Sequence, residues 1–202
     1  SSSTEHVAVL HDVIRVQGLQ VGFVNDVYAN GTGTVSRTNT DADTAIDRLR
    51  WGSGVTSGQQ SGYDLVDNST LSSSSGTVVE ASQVFKLADF THSNYGIYSN
   101  SSTLTATDIT MSLVVNINGI ATTVNFKTKL THTETANSSD AAASADIITL
   151  QPQTATVTVD GTQYKINLLG FQDASGKLVN TINTNEQASN TFGIYGSIVS
   201  AD

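Results

Sequence analysis

The sequence predicts an all-β fold, an antiparallel β-sandwich of jelly-roll-like character forming a single domain with long loops, on three observations. Short runs rich in Val, Ile, Thr and aromatic residues return at roughly 8 to 12 residue spacing, without long stretches of helical periodicity between them. Asn30-Gly31, Asn118-Gly119 and Asp160-Gly161 mark turns, because these pairs supply the positive φ angles that tight hairpins require. Charged residues make up only 13% of the 202 residues, while Ser, Thr, Asn and Gly are abundant, which favours folded β structure over a charge-rich disordered chain. A chain of this length buries about 70% of its unfolded surface, enough for one sizeable core.

Taken in order, residues 1–6 are polar and read as a linker end or a vector remnant, leaving 7–202 as the domain. Val-rich runs predict strands at 7–10, 13–17 and 21–24, followed by the Asn30-Gly31-Thr32-Gly33 turn. Asp41, Asp43 and Asp47 then crowd a segment leading into a strand at 48–51. If extended, Asp41 and Asp43 point the same way and offer two carboxylates to one hard cation; the alternative is an Asp-rich turn capping its own backbone. An EF-hand is excluded, since no Gly occupies the turn and no Glu closes the loop. In Arg48-Leu49-Arg50-Trp51, Leu49 and Trp51 face the core and both arginines the other side. Arg50 either clamps a carboxylate with two parallel hydrogen bonds or pairs with a neighbouring Asp.

A Gly/Ser/Gln loop runs over 52–62, a strand follows at 63–66, and the Ser run at 72–76 reads as a surface loop. Alternation over 84–90 leads into a polar set, Asp89, Thr91, His92 and Asn94, at a strand end. Later strands are expected at 104–115, 122–128, 146–150, 154–159, 164–169 and 191–199. Polar residues fill a loop at 134–144, and Pro152 marks an edge or boundary.

Composition excludes several classes of function. With 18 acidic and 9 basic residues the net charge is −9, which repels phosphate backbones and argues against nucleic acid as a partner. The absence of cysteine rules out disulfides, thiolate metal sites and cysteine nucleophiles. No apolar run is long enough to span a membrane as a helix. No nucleophile elbow, P-loop, zincin or dinucleotide motif occurs, so the chain reads as a non-enzyme.

The stretch 48–98 carries the single tryptophan together with Tyr63, Tyr95, Tyr98 and His92, set among Gly, Ser and Gln as in binding loops. Trp51-Gly52, Gln60-Ser61-Gly62-Tyr63, Phe85-Lys86-Leu87 and Phe90-Thr91-His92-Ser93-Asn94 resemble, in order, the signature of the bacterial surface domain known as choice-of-anchor K. More closely, the chain is similar to the peptide-binding domain of giant calcium-dependent RTX adhesins. Fainter likeness continues through Ala145-Asp146-Ile147-Ile148, Gly161-Thr162-Gln163-Tyr164 and Phe192-Gly193-Ile194-Tyr195, so that it covers residues 40–200. The chain departs from the pattern at Tyr95-Gly96, where Asn or Pro follows in the family.

The resemblance implies an extracellular, cell-surface adhesin module, monomeric within a larger chain, that binds short peptides by their free C-terminal ends with the help of Ca2+. The ligand-contacting residues are then Arg50, Gln60, Ser61, Gly62, Tyr63, Thr91, His92, Asn94 and Tyr95, and the calcium ligands Asp41, Asp43, Asp47 and Asp89. The alternative is a calcium-dependent lectin using the same aromatic and Asn/Asp set on a glycan.

Overall fold

The alternation in the sequence is realised as strands throughout the computed structural model, which describes residues 12–29, 31, 35–38, 46–135 and 145–200. In chain order they are β1 (Ile14–Ala29), β2 (Ser36–Thr38), β3 (Asp47–Trp51), β4 (Ser61–Asp67), one helical turn α1 (Ser69–Ser72), β5 (Thr77–Val79) and β6 (Phe85–Asn94). There follow β7 (Thr103–Ile117), β8 (Ile120–Thr133), β9 (Asp146–Leu150), β10 (Gln153–Val159), β11 (Thr162–Gln172), β12 (Leu178–Val179), β13 (Thr181–Thr184) and β14 (Ala188–Ser200). The fold is all-β and sandwich-like. One sheet runs β13-β9-β8-β7-β1-β5 and the other β10-β11-β14-β6-β4-β3-β2, with β12 appended to β11. The last strand, β14, inserts between β11 and β6 and pairs antiparallel with both.

Local chemistry explains most element boundaries. Asn118 (φ 51°) and Gly119 (φ 87°) form the β7–β8 hairpin, and Asp160 (φ 50°) and Gly161 (φ 80°) the β10–β11 hairpin, as their residue types require. Pro152 stands just before β10, which forms one edge of the second sheet, where a missing N–H costs least.

Two expectations change and a third falls on residues that are not described. The strands at 13–17 and 21–24 are one strand, β1, whose pairing with β7 slips between Gln17 and Gln20 around Gly18 at φ 61°. The Ser run is entered through α1 rather than being a plain loop: the Asn68 side chain accepts from Thr70 N at 3.1 Å and Leu71 is buried, so one apolar residue among serines anchors the turn. Strand 7–10 and most of the Asn30-Gly31-Thr32-Gly33 turn lie outside the described residues.

The core fills the space between the sheets. Phe23, Trp51, Tyr63, Phe90 and Phe171 are its largest buried side chains, and Tyr63 meets Phe90 with ring centroids 4.7 Å apart and Trp51 edge-on at 5.0 Å. On the opposite face of β4, Gly62 lies under the Arg50 side chain. A Cβ built there would sit 2.4 Å from Leu49 O and 2.6 Å from Arg50 Nη1. Gly62 thus permits the close approach of β3 and β4. Gly62→Ala is expected to lower stability by about 1–3 kcal/mol through overpacking, read as an earlier urea midpoint; an unchanged midpoint would show that β3 and β4 are not packed this closely.

Candidate functional site

Side-chain parity brings a set of polar groups inward at one end of the sandwich. On β3, Asp47, Leu49 and Trp51 face the core; on β4, Ser61, Tyr63 and Leu65; on β6, Phe90, His92 and Asn94. From the other sheet come Leu130 and His132 on β8, Asp146 and Ile148 on β9, and Ile182 and Thr184 on β13. Cross-strand registers place Tyr63 beside His92 on one wall, and Asp146 beside Thr184 on the other.

The two walls are joined by hydrogen bonds. Tyr63 Oη lies 2.5 Å from His132 Nδ1, and His132 Nε2 lies 3.1 Å from both Asp146 Oδ2 and Glu134 Oε2. Asn94 Nδ2 donates to Thr184 O at 2.8 Å, and His92 Nε2 stands 3.7 Å from Asp146 Oδ2. Trp51 stacks over His92 at 6.5 Å and meets His132 edge-on at 5.5 Å, so the imidazoles sit in an aromatic frame.

Electrostatics divides the two histidines. Burial, reinforced by the charge of His132, pushes His92 well below its ordinary pKa and keeps it neutral. Burial would also lower His132, but its hydrogen bonds to Asp146 and Glu134 and the charges of those carboxylates outweigh it and raise the pKa. Glu134 is raised by burial against the opposing pull of His132, and Tyr63 is raised by burial and by both carboxylates.

Two cavities flank this seam, separated by the segment after β6. The segment is stitched to the loop after Trp51: Val55 N donates to Gly96 O at 2.9 Å, Tyr98 N to Ser53 O at 2.9 Å, and Ser61 Oγ bonds Tyr95 O and N at 2.9 and 3.1 Å. Gln60 Nε2 reaches back to Gly52 O at 3.0 Å. One cavity, about 310 Å³, is lined by Arg50, Gly58, Gln59, Gln60, Ser93 and Tyr95. The other, about 470 Å³, is walled by Ile97, Tyr98, Leu104, His132 and Glu134 among others.

The residues expected to contact a ligand therefore separate into groups. Arg50, Gln60 and Tyr95 line the smaller cavity. Ser61, Tyr63, His92 and Asn94 are buried at 0% exposure, so in this conformation they support that surface from beneath instead of touching what lies on it. Thr91 sits on the outer face shared with Ser93, across from Asp64 and with its hydroxyl bonded to Thr191 at 2.7 Å, and is not itself among the residues lining the cavity. Arg50 takes the paired form: Nη2 holds Asp64 at 2.8 Å while Nη1 donates to Leu49 O and Tyr63 O at 2.9 and 3.1 Å. Arg48 reaches the same Asp64 oxygen at 3.6 Å.

Of the four expected calcium ligands, Asp47 and Asp89 are described, and they lie apart. Asp47 faces the core, 3% exposed, whereas Asp89 faces outward and pairs with Lys86 at 3.2 Å, so these two carboxylates lie on opposite faces of one sheet. Asp47 also begins β3, about 10 Å along the strand from Arg50, which lines the smaller cavity. Asp41 and Asp43 lie outside the described residues.

His132, Asp146, Glu134 and Thr184 are the members of the site that motif reading passed over. Their signal was parity: Leu130-x-His132-x-Glu134 and Asp146-x-Ile148-x-Leu150 each put an ionisable group on the apolar face of a strand. No family model and no curated protein matches the chain.

Tyr63→Phe removes the hydroxyl that meets His132 Nδ1 while keeping the ring in the core. It is expected to cost about 1–3 kcal/mol by leaving that nitrogen buried and unpaired, measured by urea unfolding with an unchanged slope; no loss would mean that this bond does not tie the sheets.

Proposed function

We propose that the chain is a non-enzymatic recognition module of an extracellular bacterial adhesin, holding the free C-terminal end of a short peptide in the cavity beside Arg50. The observation that carries this is the joining of the loop after Trp51 to the segment after Asn94, because both stretches bear the likeness to RTX-adhesin peptide-binding domains and the smaller cavity lies along their seam. Backbone-to-backbone bonding fixes the walls before a ligand arrives, which lowers the ordering cost of binding.

Charge supports a carboxylate guest. Among the described residues Arg48 and Arg50 converge on Asp64, two guanidinium groups against one carboxylate, on a chain whose net charge is −9. A peptide carboxylate entering beside Gln60 and Tyr95 meets that pair, and it is desolvated at lower cost where guanidinium donors are already oriented. Calcium in this reading is held by Asp41 and Asp43, and Asp89, paired with Lys86, has no part in it. The buried residues Trp51, Tyr63, His92 and Asn94 act by holding β3, β4 and β6 in place.

Titration calorimetry with paired peptides tests this. A free C-terminus is expected to bind at least about tenfold more tightly than its amide, the worth of a single charge-assisted hydrogen bond, and Arg50→Gln should erase the difference. Equal affinities for acid and amide would refute the carboxylate grip. Chelator-sensitive binding of glycans with no binding of either peptide would assign the lectin reading instead, with Tyr98, 52% exposed at the rim of the larger cavity, as its stacking platform.

A further inference from the structure

The cluster beneath the larger cavity contains more polar capacity than its own hydrogen bonds satisfy. His92 is wholly buried, yet neither ring nitrogen has a hydrogen-bond partner among the described residues. The same holds for Asn94 Oδ1 and Thr184 Oγ1, its neighbours along β6 and across from Asp146. Opposite them, a single N–H of His132 faces two carboxylates, each 3.1 Å away, and cannot be well aligned with both. An unpartnered buried nitrogen beside crowded carboxylate oxygens leaves each group lacking what a cation would supply.

We propose that His92, His132 and Asp146 form a binding site for one transition-metal dication, with zinc the fitting ion and Glu134, bonded to His132 Nε2, the adjacent carboxylate whose side chain turns in to complete the shell. Ligand atoms of His92, His132 and Asp146 lie within 4.8 Å of one another. A tetrahedral zinc with bonds near 2.0–2.1 Å holds its ligand atoms about 3.3 Å apart, and the observed separations of 3.1 and 3.7 Å lie on either side of that spacing. Two neutral imidazoles and two carboxylates balance a dication. Calcium is the wrong ion for this place, since it prefers six to eight oxygen ligands and avoids imidazole.

The surroundings suit a metal site. With Nε2 on the ion, His132 donates its Nδ1–H to Tyr63 Oη, the kind of outer hydrogen bond that orients ligating histidines. Trp51 fixes both ring planes. His132 and Glu134 also line the larger cavity, and the Glu134 side chain is 20% exposed, so an ion enters from solvent without the sheets parting. This site is separate from the peptide cavity, and its test does not depend on peptide binding.

The probes are Zn2+ and Co2+ added to chelator-treated protein. One equivalent of Co2+ should give visible absorption bands of a low-symmetry nitrogen and oxygen site, and Zn2+ should displace it. In long-range proton–nitrogen spectra the ring nitrogens of His92 and His132 should shift with Zn2+ and stay fixed with Ca2+. His92→Phe, which keeps an aromatic ring beneath Trp51, should weaken Zn2+ binding at least about tenfold. Ring nitrogens unmoved by excess Zn2+ would overturn the proposal, and so would unchanged affinity in folded His92→Phe. The wild-type spectra decide the matter alone if the variant does not fold.

Discussion

His132 is the point through which the two sheets are held at the end that bears both cavities. Its Nδ1 meets Tyr63 on one sheet, and its Nε2 meets Asp146 and Glu134 on the other side of the interior. Most of the remaining interface is apolar contact, strong in sum but indifferent to sliding, with further polar bridges where Arg37 on β2 meets Asp26 and Phe23 O on β1 and where Tyr164 on β11 donates to Asp12 before β1. A directional bond in a low-dielectric interior has one geometry, so it sets how β4 sits over β8 and β9. The bond from Asn94 to Thr184 O repeats the arrangement one step along β6.

That constraint reaches the surface through short paths. Tyr63 and His92 pair across β4 and β6, Trp51 pairs with Ser61 across β3 and β4, and Ser61 bonds Tyr95. Cavity walls at Arg50, Gln60 and Tyr95 thus rest on strands whose inner faces are locked by the polar seam. On the opposite side of the same segment, Ile97 and Tyr98 border a cavity that reaches His132 itself. One stretch of about five residues carries two surfaces because its backbone is spent on bonds to the neighbouring loop.

Much of this was legible in the sequence, and the reasons for the remainder are physical. Period-two alternation gives the face of each strand, so Leu49 and Trp51 are legible as core residues, as are the turns at Asn118-Gly119 and Asp160-Gly161. On β6 the alternation breaks at Leu87 and Ala88, both buried, which is what turns Phe90 inward. Alternation does not give the partner strand. That Asp64 on β4 lies across from Arg48 and beside Arg50 depends on the β3–β4 register, and this settled the pairing of Arg50. The insertion of β14 between β11 and β6 is a long-range pairing that no local pattern carries. His92 and Asn94, which the resemblance places among the ligand contacts, are buried in this structure, a position that local sequence does not reveal because it depends on how β13 and β9 pack against β6. His132 and Asp146 were missed because each looks ordinary within its own strand, and only the folding of β8 and β9 against β6 makes them one cluster.

The seam is therefore best understood as a polar interior site whose hydrogen bonds are incomplete without a cation. The most direct test is a crystal grown with zinc and measured on both sides of the zinc absorption edge. A single anomalous peak among His92, His132 and Asp146, with the Tyr63–His132 contact retained, is the predicted result. No peak there, with ordered water bridging His92 to Asp146 and Asn94, would show a self-sufficient hydrogen-bond network and contradict the metal assignment.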